Sequence, residues 1–297
     1  MRRRSTLAVL TLLLTLALPV GVAAQAPPAP TTSHQFRVDS PPTAGLAEVV
    51  TFVLDFAPGA ATPPHLHPGL VLATVLEGAL TFRTDGGERT YRVGESFIEP
   101  PGVVGTALNT GSERMRVAVS IQVPRNAPPS APQPGGPTPA PPAPTPLYLT
   151  RADAVFPGQP YEMAQTVLDF GPGAATPLHT HPGQVFVTVL SGEITFTSQG
   201  TTRVFREGES FVERPGIVGQ ARNAGAAPAS LMATYILPRG AALSTPIGAV
   251  GLPATGAASA GSANHFPTAA SVSLLLGGLL LSGAAGVRRL IGRLGRV

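Results

Sequence analysis

The chain has 297 residues, 34 glycines, 34 prolines, no cysteine and a formal charge of +4. Without cysteine there are no disulfides, zinc–thiolate sites or thiol nucleophiles. Seven of the 20 cationic residues (Arg2, Arg3, Arg4, Arg288, Arg289, Arg293, Arg296) lie at the ends and all 16 acids between them, so the interior is net acidic and offers no surface for nucleic acid.

Residues 1–24 combine an arginine-rich start, an apolar stretch and the small residues Val22-Ala23-Ala24. That is the pattern of a secretory signal cleaved after Ala24; the alternative is an uncleaved membrane anchor. Residues 25–33 read as an exposed leader. From 34 to 125 come short runs such as "EVVTFVLDF", "LVLATVLEG" and "MRVAVSIQV", rich in β-branched residues and bounded by Gly, Pro, Asp or Asn. These predict strands. Residues 126–146 form a Pro-rich linker, expected to run as an extended spacer.

Residues 147–240 repeat the first stretch. "VLDFAPGAATPPHLHPG" answers to "VLDFGPGAATPLHTHPG", and "GESFIEPPGVVGTALN" to "GESFVERPGIVGQARN", without a gap. Two like domains follow, each an all-β sandwich or barrel. After these, 241–267 is an Ala/Gly/Ser-rich stalk. Residues 268–287 are apolar for a membrane-spanning length, and the arginine-rich 288–297 would then lie inside. Within the stalk, Leu252-Pro253-Ala254-Thr255-Gly256 resembles the LPXTG signal of sortase-anchored surface proteins. The resemblance implies cleavage between Thr255 and Gly256 and attachment to the cell wall; a plain membrane anchor is the alternative.

Four of the six histidines fall in two pairs, His65/His67 and His179/His181. Side chains two apart on a strand share a face, so each pair can converge. The copies resemble the cupin family at Gly59, His65, His67, Gly78, Gly94, Pro100, Gly102 and Asn109, and again at Gly173, His179, His181, Gly192, Gly208, Gly216 and Asn223. The resemblance implies two tandem jelly-roll barrels, followed here by the C-terminal transmembrane helix. It also implies one divalent metal (Fe, Mn, Ni or Zn) per barrel.

The chain departs from the family where the metal is concerned. Val71 and Val185 stand at the glutamate position, Gly105 and Gly219 at the last histidine, and Arg214 replaces a proline. Two imidazoles need a third donor to hold a metal well. Glu99 and Glu213 are the substitutes, since each alternates onto the face of Phe97 or Phe211. Arg92 or Arg206 could pair with these acids instead, and the histidines would then be a hydrogen-bonded remnant. Val71, Val75, Phe82 and Phe97, with Val185, Val189, Phe196 and Phe211, would line a ligand pocket made roomier by the lost ligands. The readings open at this level are a module binding a small molecule or metal, a metal-dependent enzyme of oxygenase or isomerase type, and a structural surface module.

Overall fold

Alternating apolar and polar residues, punctuated by glycine and proline turns, build strands throughout a computed structural model that describes residues 26–42, 44–133 and 140–248. The first half holds β1 (Thr31–Ser40), β2 (Leu46–Phe56), β3 (His65–Leu66), β4 (Val71–Glu77), β5 (Ala79–Thr84), β6 (Gly87–Arg92), β7 (Ser96–Glu99), β8 (Gly105–Leu108), β9 (Met115–Pro124) and β10 (Ala131–Pro132). The second repeats it as β11 (Thr145–Asp153), β12 (Tyr161–Phe170), β13 (His179–Thr180), β14 (Gln184–Ser191), β15 (Glu193–Ser198), β16 (Thr201–Arg206), β17 (Ser210–Glu213), β18 (Gly219–Arg222), β19 (Ala229–Pro238) and β20 (Thr245–Pro246).

These strands form two barrels, each a five-stranded sheet of mostly long strands (the large sheet) facing a five-stranded sheet of short ones (the small sheet). The first combines β11-β2-β9-β4-β7 with β10-β3-β8-β5-β6. The second combines β1-β12-β19-β14-β17 with β16-β15-β18-β13-β20. Among the described residues no helix is long and apolar enough to cross a membrane. The expected signal (1–24), the LPATG stretch with Thr255 and Gly256, the 268–287 span and the 288–297 tail lie outside the described residues.

The central strands of the large sheets are buried on both faces, which explains their nearly continuous apolar runs. Along β4, Val71, Ala73 and Val75 enter the first barrel core, whose other members include Phe56, Phe82, Phe97 and Ile121. The intervening Leu72 turns the other way and packs with Val49, Tyr161, Met163, Phe186 and Ile236 of both halves. Thr74, on that outward face too, hydrogen-bonds Gln165. Its neighbours are a Gln165–Ser120 bond of 2.9 Å, a Ser120–Thr234 bond of 2.7 Å and a Thr51–Thr188 bond of 3.2 Å. A polar seam thus runs through the apolar contact between the barrels, and its hydroxyls and amides satisfy one another.

The two copies exchange their first strands. β1 pairs with β12 of the second copy, Phe36 opposite Gln165, and β11 pairs with β2 of the first copy, Arg151 opposite Val50. The first repeat's leading strand therefore completes the second barrel, and the second repeat's completes the first. The Pro-rich connection also differs from an extended spacer where it is described. β10 pairs with β3, the Gln133 amide donates to the Pro64 carbonyl at 2.7 Å, and the Ala61 amide to the Pro142 carbonyl at 2.9 Å. Backbone groups that would stay in water in a free polyproline segment instead find partners on the barrel. Residues 241–248 do the same for the second barrel through β20 and an Ile247 amide to Leu178 carbonyl bond of 2.7 Å.

Candidate metal centre

Each site begins at a two-residue strand. His65 of β3 and His67, the residue after the strand, have rings 4.8 Å apart at 89°; His179 and His181 stand 4.7 Å apart at 87°. The acid comes from the neighbouring sheet. β4 and β7 run antiparallel with Val71 directly opposite Glu99, and Val185 is likewise opposite Glu213. In β7 the odd positions Phe97 and Glu99 are both buried while Ser96 and Ile98 are only half-buried. The carboxylate has therefore moved one strand over from the cupin-type glutamate position held by Val71. Cross-strand partners have Cβ atoms about 4.5–5.5 Å apart, so a side chain from either strand reaches the same space.

Glu99 Oε2 lies 3.3 Å from His67 Nε2 and 3.9 Å from His65 Nε2. In the second copy Glu213 Oε2 lies 3.5 Å from His181 Nε2 and 3.9 Å from His179 Nε2. All three donor atoms of each set fall within 4.8 Å of one another. Arg206 pairs with Glu193 and leaves Glu213 to the histidines.

The other ring nitrogens fix the chemistry. Every Nδ1 meets a backbone carbonyl: His65 with Pro63 and His67 with Pro129, both at 2.8 Å, His179 with Pro177 at 2.8 Å and His181 with Leu243 at 2.7 Å. A carbonyl only accepts, so each Nδ1 carries a proton, and in the neutral tautomer Nε2 then turns its lone pair toward the acid. Burial also holds His65 below the ordinary imidazole value, against the Pro63 bond and the Glu99 charge, which raise it. An ionised carboxylate is a pure acceptor, so acceptors face acceptors in a buried space. His67 Nε2, Glu99 Oε2 and His181 Nε2 accordingly have no hydrogen-bond partner.

Buried polar atoms without partners are costly, and three acceptors converging on one point ask for a cation. Each His–His–Glu set fits one divalent metal ion. The donor set is the two-histidine, one-carboxylate facial type, which leaves coordination positions open. The Nδ1–carbonyl bonds are the outer supports that fix ring orientation at such centres.

The space of the missing fourth ligand is not open. A Cβ at Gly105 would collide with the ring of Phe82, and one at Gly219 would come within 2.7 Å of Phe196. The phenyl rings occupy what a histidine would need, so the lost ligand leaves no roomier cavity. Val71, Val75, Phe82 and Phe97 all pack within the barrel core, with Phe97 5.1 Å from Phe82 and stacked at 4.5 Å on Tyr91. In the second copy Val185 and Val189 are buried, while the half-buried Phe196 and Phe211 stack at 4.5 Å. Phe196 and Glu213 line a depression of about 210 Å³. The carbonyls of Pro63, Pro129, Pro177 and Leu243 were invisible to sequence reasoning, because backbone acceptors carry no residue signature. So was Tyr235, whose ring meets His181 edge-on at 5.7 Å.

Comparison with known proteins follows the same division. The cupin domain family matches residues 52–121 and 166–235. Germin-like protein 3-5 of Oryza sativa subsp. japonica is 37% identical over 76 residues, 23% of this chain and 34% of that one. Oxalate oxidase 1 of Hordeum vulgare is 34% identical over 76 residues, 23% of this chain and 38% of that one. The chain thus spans little more than a third of the curated relatives it matches. The solved vicilin of Solanum melongena shares the fold at 12% identity and a TM-score of 0.50, over 65% of this chain and 75% of that one.

Proposed function

We propose, from a chain that carries two cupin domains in tandem, that each domain binds one divalent metal and presents it to a small ligand. The observation that carries this is the convergence of buried acceptors without a donor: His67 Nε2 and Glu99 Oε2 in one barrel, His181 Nε2 in the other. A bound metal would supply positive charge and open coordination positions for a ligand. The chain's own residues do the rest. Nδ1–carbonyl bonds hold the imidazoles aimed, the acid balances charge, and Phe82 or Phe196 fills the place of the fourth ligand. The test is elemental analysis of the purified chain after reconstitution with Fe, Mn, Ni or Zn. Two metal ions per chain are expected, and less than a tenth of an ion would end the reading.

A second reading is catalysis at the same centre. The open positions favour it, and the matched barley relative is named an oxalate oxidase. Turnover of oxalate by the metal-loaded chain, lost in His67→Ala and His181→Ala, would support it; metal-loaded chain without turnover would leave binding alone.

We further propose that the protein is exported and held at the cell surface. The support lies in the sequence: the 1–24 signal pattern, Leu252-Pro253-Ala254-Thr255-Gly256, the apolar 268–287 and the arginine end. Wall digestion should release the protein if sortase acts at Thr255. Release by detergent alone would point to the membrane.

A further inference from the structure

The ligand sets are near twins, but what surrounds them is not. In the gapless alignment of the copies, Arg214 stands where the first has Pro100, Gln199 where it has Asp85, and Tyr235 where it has Ile121. Arg214 and Gln199 line the 210 Å³ depression together with Phe196, Ser198, Glu213 and Ile217. Glu213 of the second centre is thus among the residues that border the depression. Arg214 is exposed and makes no ion pair among the described residues. Tyr235 packs against His181 with its hydroxyl 3.3 Å from Thr166. The first copy carries the opposite charge at the position matching Gln199, the exposed Asp85.

We propose that the second copy is an anion-selective site: a small carboxylate enters the depression beside Glu213 with its charge on Arg214, and the first copy, with Pro100 and Asp85 at the same places, rejects it. This rests on the metal reading above, since a metal at the second centre would be the other positive pole. A guanidinium presents paired donors matched to a carboxylate. The volume limits the ligand. Clefts for drug-sized molecules run to about 300–1,000 Å³, so this one suits a few heavy atoms. Glu213 alone would repel an anion. The positive groups around it reverse that, whereas Asp85 adds to the repulsion at the first site.

The experiment is calorimetric titration of the purified, metal-reconstituted full chain with malonate, and with neutral malonamide as control. One malonate per chain is expected, with no malonamide bound. Arg214→Pro copies the Pro100-Pro101 sequence of the first barrel, so the backbone has a working precedent. It should bind malonate about ten- to a hundredfold more weakly, the range for losing charge-assisted hydrogen bonds. The reciprocal variant, Pro100→Arg with Asp85→Gln, should gain a second malonate site even if Arg214→Pro folds poorly. Two malonates per wild-type chain, none, or unchanged affinity in Arg214→Pro would overturn the proposal. Metal content measured on the same samples separates the two readings. A chain without metal refutes metal binding. Malonate titration then still judges Arg214: an Arg214-dependent site upholds the anion site and its absence refutes it.

Discussion

Glu99 and Val71 face each other across one strand pairing, and that pairing accounts for how a centre survives the loss of its usual acid. The barrel interior cares where the carboxylate oxygen ends up, and two adjacent strands can deliver it to the same space. Glu99→Gln tests the point. The amide keeps the volume but removes the charge, so metal content should fall from two ions per chain to one. The same amide can donate to His67 Nε2, which lacks a partner. The metal-free variant should therefore unfold at the same temperature as the metal-free parent or above it, since a facing pair of acceptors has been relieved. A large fall in thermal unfolding temperature would show that Glu99 already has a favourable partner without metal. Glu99 was legible in the sequence because strand alternation ties it to Phe97. The filling of the Gly105 space by Phe82 was not, because it depends on which way a ring from another strand turns.

At the scale of elements, the segments that follow each barrel behave as straps. β10 lies on β3 and β20 on β13, and each strap brings a carbonyl, Pro129 or Leu243, to the Nδ1 of the second histidine. A sequence of Pro, Ala and Thr has no apolar period to reveal this, and the bond that matters is made by backbone. The stretch therefore reads as linker or stalk. The strap can be removed without touching a ligand: β19 ends at Pro238, so truncation after Gly240 leaves the second barrel's large sheet whole. A chain ending at Gly240 should retain one metal ion and lose the one at His179 and His181, whose ring is no longer held. Outer supports of this kind are worth about 10–100-fold in metal affinity. A chain ending at Gly248 keeps β20 and should bind both. Equal metal content in the two truncations would show that the strap does not position the ring.

At the scale of the whole molecule, exchange of β1 and β11 makes the two barrels interdependent. The sequence makes the copies equal, but β1 begins inside the stretch that reads as an exposed leader and β11 inside the Pro-rich linker. It says nothing of which edge each strand completes, because the same alternation would fit either large sheet. What decides is the geometry of the seam. Once the large sheets lie back to back, each leading strand is close to the other copy's sheet edge, and both faces of every central strand are buried. Glu48 of β2 shows how the exchange is held: it accepts from Arg151 of β11 and from the Asn126 amide at 2.9 Å. Burial raises its pKa, but those bonds with the Arg151 and Arg125 charges outweigh it, and the folded value is lowered. A carboxyl with a lowered folded pKa contributes fully above its unfolded value, and the contribution is lost as pH falls through the folded one. Because neither barrel is complete without a strand from the other copy, calorimetry of the metal-free chain should give one cooperative transition at neutral pH. Its midpoint should fall as pH drops below about 4, the unfolded carboxylate range. In Glu48→Gln the neutral-pH midpoint should be lower and its acid sensitivity smaller. Two separate transitions at neutral pH would mean that each barrel stands without its borrowed strand, and the centres could then be studied one at a time.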